Sequence, residues 1–341
     1  MDKVNLDWGN LDYSYKRTDF NYISYWKDGK WDAGKLVKEN TVTISIGSTA
    51  LHYGQECFEG LKAQTAKDGR VILFRPDQNA KRMQDSARGI LMPEVPTEKF
   101  LDACIQVVKA NLRWVPPYGF GAAFYLRPLL FGHGDNLGAK PSKEYIFCVF
   151  GCPVGPYFKS GLKPINVLVS DYDRAAPSGT GAIKVGGNYA GGLRPRELAL
   201  RAGYDDCLYL DAKTHTYIDE LGGTNFYGIT RDLMLVTPSS PSILPSITRR
   251  SVVEIAEKYL GLKTEERPVP IAEIENFVEA GACGTASIIA PIGSICYHDK
   301  LHTFYGNGQE AGPITRQLYH TLTAIQLGEH DAPEGWLVEV K

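Results

Sequence analysis

Val71-Ile72-Leu73-Phe74, Ala122-Ala123-Phe124-Tyr125-Leu126 and Tyr145-Ile146-Phe147-Cys148-Val149-Phe150 decide the fold class. They are short apolar runs rich in aromatic and β-branched residues, and they read as strands. Between the first two, Phe100, Leu101, Cys104, Val107, Val108 and Leu112 recur at helical spacing until Pro116-Pro117 ends the helix. The second half repeats the alternation. Strands are expected near 165–170, 206–211, 233–237 and 285–290, and a helix from about 248 to 260. Val252, Ile255, Ala256 and Tyr259 would form the buried face of that helix, with Gly261 behind it as a stop. The pattern predicts a mixed α/β protein.

Glycines and prolines crowd the segment Gly151-Cys152-Pro153-Val154-Gly155-Pro156-Tyr157 and the Lys159–Pro164 stretch after it. A turn-rich connector between apolar segments reads as a domain junction. The chain of 341 residues is accordingly divided into a small N-terminal domain, 1–154, a linker, 155–163, and a larger C-terminal domain, 164–341.

Thirty-seven basic and 39 acidic side chains leave a net charge of −2, with no long basic run, which argues against nucleic acid or an anionic membrane as partner. The polar start, Met1 to Trp8, does not read as a secretory signal, and no window approaches eighteen consecutive apolar residues. Seven cysteines, mostly inside apolar runs, read as reduced core thiols of a cytoplasmic protein.

The chemistry concentrates in Gly179-Thr180-Gly181-Ala182-Ile183-Lys184-Val185-Gly186-Gly187-Asn188-Tyr189-Ala190-Gly191-Gly192, where one lysine sits among six glycines. Glycines let a bulky ligand approach the backbone, and the apolar neighbours Ile183 and Val185 disfavour an ammonium ion. A neutral amine is what Schiff-base chemistry needs. A solvated lysine on a surface loop fits the same residues. Ser242-Ile243-Leu244-Pro245-Ser246-Ile247-Thr248-Arg249-Arg250 runs into the second helix. It offers either a phosphate cradle at a helix start or an N-cap at Ser246, with Ser251-x-x-Glu254 as a competing capping box. Gly281-Ala282-Cys283-Gly284-Thr285-Ala286-Ser287 is a second glycine–hydroxyl stretch, placed before a strand. Glu220, followed by Gly222-Gly223-Thr224-Asn225, is either a solvated acid or a ligand contact. Arg127 is an odd cation inside an apolar strand and needs a partner, whereas Arg82 reads as an ordinary helix residue. His298 and His302 are spaced for a metal helix, but Asp299-Lys300 between them suggests a turn; no metal is expected. No Walker A, G-x-S-x-G or strand–GxGxxG–helix fingerprint is present.

Together these segments resemble the branched-chain amino acid aminotransferases, of the fold type IV class of pyridoxal-phosphate enzymes. The resemblance runs from about Ser14 to the C-terminus and is carried by Leu51-His52-Tyr53-Gly54-Gln55-Glu56-Cys57-Phe58-Glu59-Gly60-Leu61-Lys62, Val185 to Tyr189 with its lysine, Leu244 to Arg250 and Gly281 to Ala286. It implies a small N-terminal α/β domain and a larger C-terminal domain, pyridoxal 5'-phosphate in the cleft, and a homodimer. By the resemblance, Lys184 is the Schiff-base and proton-shuttling lysine, and Tyr189 faces the cofactor's phenolic oxygen. Glu220 holds the pyridine nitrogen, and Arg82, Ile247, Thr248 and Thr285 clamp the phosphate. Tyr53, Phe58, Tyr125 and Tyr157 are aromatic substrate walls, Arg127 receives the distal carboxylate of glutamate, and Ala286 lies near the α-carboxylate. The reaction implied is reversible amino transfer between leucine, isoleucine or valine and 2-oxoglutarate, by ping-pong kinetics.

The chain also departs from that pattern. Gly223, counted among the cofactor-binding positions, stands where relatives often carry Ser or Thr, and Ser287 and Ala290 replace the redox cysteine pair of animal members. A D-amino-acid aminotransferase or aminodeoxychorismate lyase would share the fold. A phosphate-binding module would use Lys184 only to neutralise an anion.

Overall fold

The computed structural model describes residues 2–156 and 162–341. Tyr157 and residues 158–161 of the expected junction lie outside the described residues. Contacts gather the chain into two compact units. One holds residues up to 156 with Ile183–Gly186 and Ile325–Lys341; the other holds residues from 162 to 182 and Gly187–Ala324. The sequence suggested one junction, with Lys184 in the C-terminal part. Strand pairing explains the difference: Val185 bridges Cys57, and Phe58 N donates to the Lys184 carbonyl oxygen at 3.1 Å, which draws the lysine's backbone into the first unit.

The first unit is built on a nine-stranded sheet. Its strands are β1 (Asn21–Lys27), β2 (Lys30–Trp31), β3 (Lys35–Val37), β4 (Glu56–Phe58), β5 (Leu61–Thr65), β6 (Val71–Phe74), β7 (Ala123–His133), β8 (Glu144–Val154) and a C-terminal strand, Leu337–Glu339. The order is Leu337–Glu339, β6, β5, β7, β8, β1, β2, with β3 beside β1 and β4 beside β7. Val71–Phe74 is a strand with the expected bounds, but β7 and β8 are longer than their apolar runs. Pro128, Gly151 and Pro153 look like breakers in sequence, yet all three lie inside the β7–β8 hairpin. Gly151 is required there because the Phe124 ring fills the space of a Cβ. The first four residues of the expected junction are therefore strand.

Three helices accompany the sheet: α1 (Thr49–Tyr53), α2 (Pro76–Gly89) and α3 (Thr97–Ala110). Pro76 opens α2 at a position where the missing N–H costs nothing. The expected face of α3, Phe100, Cys104, Val107 and Val108, joins Met83 and Ala87 of α2 against Phe124, Leu126, Leu130, Phe147 and Val149. Fully burying such side chains stabilises by about 1.5–3 kcal/mol each. The period-two alternation of β7 then decides what happens on its other side. Phe124, Leu126 and Leu130 belong to the helix-packed core, so Tyr125, Arg127 and Leu129 face the opposite way, where they are half-buried.

The second unit contains β9 (Ile165–Val169), α4 (Gly186–Arg201), β10 (Asp206–Leu210), β11 (Ile218–Leu221), β12 (Asn225–Thr230), β13 (Leu235–Pro238), α5 (Ile247–Lys258), β14 (Thr264–Arg267), β15 (Phe277–Gly284), β16 (Ile288–Tyr297) and β17 (Lys300–Thr303). The order β11, β10, β9, β16, β15, β12 closes on itself, because β12 also pairs with β11. Val167, Leu208, Leu221, Phe226, Val236 and Ile295 fill its core. The strand expected at 285–290 begins at Ile288; Thr285, Ala286 and Ser287 are the turn before it, and Phe277–Gly284 is itself a strand. Small residues hide β15 in the sequence, and their size has a cause: Gly281 pairs with Tyr227, whose ring occupies the space of a Cβ. His298 and Asp299, at φ 48° and 60°, form the two-residue turn between β16 and β17, so the histidine spacing belongs to a hairpin.

Candidate active site

The lysine segment is fixed through its backbone. Lys184 N donates to Ser86 Oγ at 2.9 Å, its carbonyl accepts from Phe58 N, and Gly186 N donates to Glu56 Oε1 at 2.5 Å. A Cβ at Gly186 would overlap the Glu56 carboxylate, so that glycine answers a packing demand of the protein itself. Gly181 is likewise crowded by Ser242 and the Ala176 carbonyl. The half-buried Lys184 Nζ stands 4.8 Å from the centroid of the Phe58 ring. Arg127 stands 4.8 Å from the same centroid, 5.3 Å from that of Tyr125, and donates from Nη2 to the Tyr125 hydroxyl at 3.2 Å. The odd cation of the strand therefore has aromatic partners. Tyr13 adds an edge to Tyr125, ring centroids 5.5 Å apart. Tyr53 is exposed at the end of α1, and its hydroxyl donates to the Leu137 carbonyl at 2.6 Å.

Arg82 is not an ordinary surface helix residue. It is buried, and its Nε and Nη2 grip Glu59 Oε1 and Oε2 at 2.7 and 2.8 Å. Asn79 Nδ2 at 2.7 Å and Gly60 N at 3.2 Å complete the shell of Glu59. Burial pushes the Glu56 carboxyl up, against the opposing pull of Gly186 N–H and Arg127. Lys62, across from Tyr125 in the β5–β7 register, is brought down to about 8 by burial. Glu59, Glu56 and Lys62 carry no role in the sequence reading, although all three lie inside the motif from Leu51 to Lys62.

The second unit holds the remaining expected residues. Glu220, almost fully buried on β11, has Arg174 Nε 3.0 Å from Oε1, Leu244 N donating to Oε1 at 3.1 Å and Asn225 Nδ2 donating to Oε2 at 2.7 Å. Arg174 Nη2 donates to the carbonyls of Gly181 and Ser242. An acid so enclosed is not the solvated loop residue its neighbours in sequence suggest. Arg174 was missed altogether. Gly223 is exposed in the turn after β11. Ser246 caps α5, its Oγ accepting from Arg249 N at 3.1 Å, while Ser251 bonds back to the Ile247 carbonyl at 2.8 Å. The N-cap reading therefore holds, and the first two residues of the helix, Ile247 and Thr248, are buried. Thr285 and Ala286 share the turn before β16 with Ser287, whose buried Oγ has no hydrogen-bond partner among the described residues. Ile288, next in line, is held at φ 63°, a strained conformation for a β-branched residue. Tyr189 is half-buried on α4.

The seven cysteines carry free thiols. Among the described residues no helix is long and apolar enough to cross a membrane. The sequence profile described as amino-transferase class IV matches residues 56–295. The chain is 56% identical to a branched-chain-amino-acid aminotransferase of Haemophilus influenzae, covering 99% of both chains, and 53% identical to one of Helicobacter pylori, covering 98% of both. Among solved structures, the Escherichia coli branched-chain amino acid aminotransferase superposes with a TM-score of 0.79 at 28% identity, over 95% of this chain and all of that one.

Proposed function

Because the chain belongs to the class IV aminotransferases, we propose that it moves an amino group between branched-chain amino acids and 2-oxoglutarate, with Lys184 as its catalytic base. It is an aminotransferase acting on branched-chain amino acids. The observation that carries the proposal is the setting of Lys184: a backbone fixed at three points and an amine set over the Phe58 ring.

The residues fit pyridoxal 5'-phosphate. The orphaned Ser287 hydroxyl and the helix start at Ile247 and Thr248 suit a phosphate or carboxylate, and an enclosed Glu220 suits a protonated ring nitrogen. When bound, the cofactor supplies an electron sink and a carbonyl carbon for the amino group. Lys184 Nζ holds the cofactor and moves the substrate's α-proton. Glu220, oriented by Arg174 and Asn225, keeps the ring nitrogen charged, and Tyr189 donates to the phenolic oxygen. Ile247, Thr248, Thr285 and Gly223 would hold the phosphate end of the cofactor, with Arg82 as a cation preset by Glu59. Phe58, Tyr125, Tyr53 and Tyr157 form apolar walls, the Ala286 turn takes the α-carboxylate, and Arg127 takes the distal carboxylate of the acidic partner. One pocket serving both substrates in turn gives ping-pong kinetics.

A homodimer is part of the proposal. The exposed apolar side chains Ile46, Leu51, Tyr53 and Leu137 of the first unit are what a second copy would cover. Free thiols suit the cytoplasm. Borohydride reduction of the cofactor-loaded protein, followed by peptide mapping, tests the central role. The label is expected on Lys184; a label on another lysine, or none, rejects it.

A further inference from the structure

We propose that Glu56 sets the balance between acidic and aliphatic substrates, acting as the resident counterion of Arg127. The inference rests on Arg127 being the receiver of a distal carboxylate. Glu56 and Phe58 are two residues apart on β4 and so share one of its faces. Arg127 and Lys184 each stand 4.8 Å from the centroid of the same Phe58 ring, so both side chains meet one aromatic partner on that face. Glu56 is the acid on that face of β4; Glu59, just past the strand, is enclosed by Arg82 and Asn79. The Glu56 side chain is held in place by Gly186 N at 2.5 Å, and only a glycine at 186 leaves room for it. Burial disfavours its ionised form, and the Gly186 N–H and the Arg127 charge favour it.

The consequence follows from electrostatics. A guanidinium in an aromatic pocket is costly while the bound side chain is aliphatic, and a fixed carboxylate nearby offsets that cost. The same carboxylate repels a ligand that brings its own. Glu56 thus makes Arg127 tolerable to leucine-like ligands and weakens its hold on glutamate-like ones.

Calorimetric titration of the cofactor-loaded protein with glutarate and with 4-methylvalerate, neither of which can donate or accept an amino group, reads this directly. Glu56→Gln keeps an oxygen for Gly186 N and removes the charge. It should tighten glutarate by about three- to tenfold and leave 4-methylvalerate unchanged or weaker. No change, or equal changes for both ligands, overturns the proposal. Glu56→Asp retains the charge and should keep the wild-type ratio of the two affinities even if both fall; loss of that ratio also overturns it. Arg127→Gln separates the two layers. If it leaves glutarate binding intact, the reading of Arg127 fails and Glu56 falls with it. If it weakens glutarate while Glu56→Gln does nothing, the role of Glu56 alone is wrong. In the Arg127→Gln background the gain from Glu56→Gln should vanish.

Discussion

Each unit buries a guanidinium against a carboxylate, and the two pairs are built differently. Arg82 gives Nε and Nη2 to the two oxygens of Glu59, and Asn79 and Gly60 fill the remaining positions. Arg174 brings one nitrogen to one oxygen of Glu220 and sets its Nη2 on the carbonyls of Gly181 and Ser242. The first pair is closed by donors of the chain on every side and ties α2 to the strand motif. The second sets two hydrogen-bond donors and an ion-pairing guanidinium around an acid and ties the acid's position to two loops. A closed pair of this kind is a structural joint. The looser arrangement suits a carboxylate that has work at a ligand, and perturbing each should produce a different kind of loss.

The largest effect lies outside both pairs and sets the scale. Lys184→Ala should lower kcat by about ten-thousandfold or more, because the nucleophile and base disappear together. The thermal midpoint should stay within about 3 °C, since the segment is held by its backbone. A variant that unfolds would reassign the lysine to packing. Next, Glu59→Ala leaves the Arg82 charge buried without its anion and should cost about 3–5 kcal/mol of stability in denaturant titrations. Because Arg82 is also assigned to the phosphate, some loss of activity is expected as well; unchanged stability would mean that the pair is not a structural joint. Glu220→Gln keeps one of its two accepting oxygens and should lower kcat by about a hundredfold, with a smaller stability change than Glu59→Ala. Equal stability losses in the two variants would erase the distinction between the pairs.

The smallest expected effect belongs to Lys62. Burial lowers its folded pKa from 10.5 to about 8, so between those two values the unfolded chain retains a proton that the folded chain has released. Stability attributable to Lys62 should therefore rise with pH across that window. Subtracting the unfolding free energies of Lys62→Met from those of the wild type isolates the rise; a flat difference would mean the side chain is solvated.

Local signals in the sequence reached far into the fold. Val71–Phe74, the α3 face and the start of α5 follow from spacing and breakers alone. The limits have physical causes. Pro128 and Gly151 resemble strand ends, yet long antiparallel pairing carries both. Phe277–Gly284 is poor in β-branched residues because Tyr227 needs the space over Gly281. In the site, Lys184, Glu220 and Arg127 stood out as residues ill at ease with their neighbours. Their partners did not, because Arg174 is 46 positions before Glu220 and Ser86 is 98 before Lys184, distances at which no periodicity connects them. Alternation through Glu56, Cys57 and Phe58 was the one overlooked local clue, since it puts an acid on the face of the aromatic wall.

The return of distant segments to the first unit bears on how the protein is made. On the ribosome, β6 emerges long before Leu337–Glu339, the strand that pairs with it, and β4 waits for Val185 in the same way. Until then the nascent chain carries an open sheet edge next to an apolar core, the kind of surface that invites pairing with another chain. Truncations that stop near residue 156 would keep that edge permanently bare. The order of synthesis thus makes the last strand the late arrival, whereas the lysine-bearing segment can dock on β4 and α2 before Gly187–Ala324 has been translated.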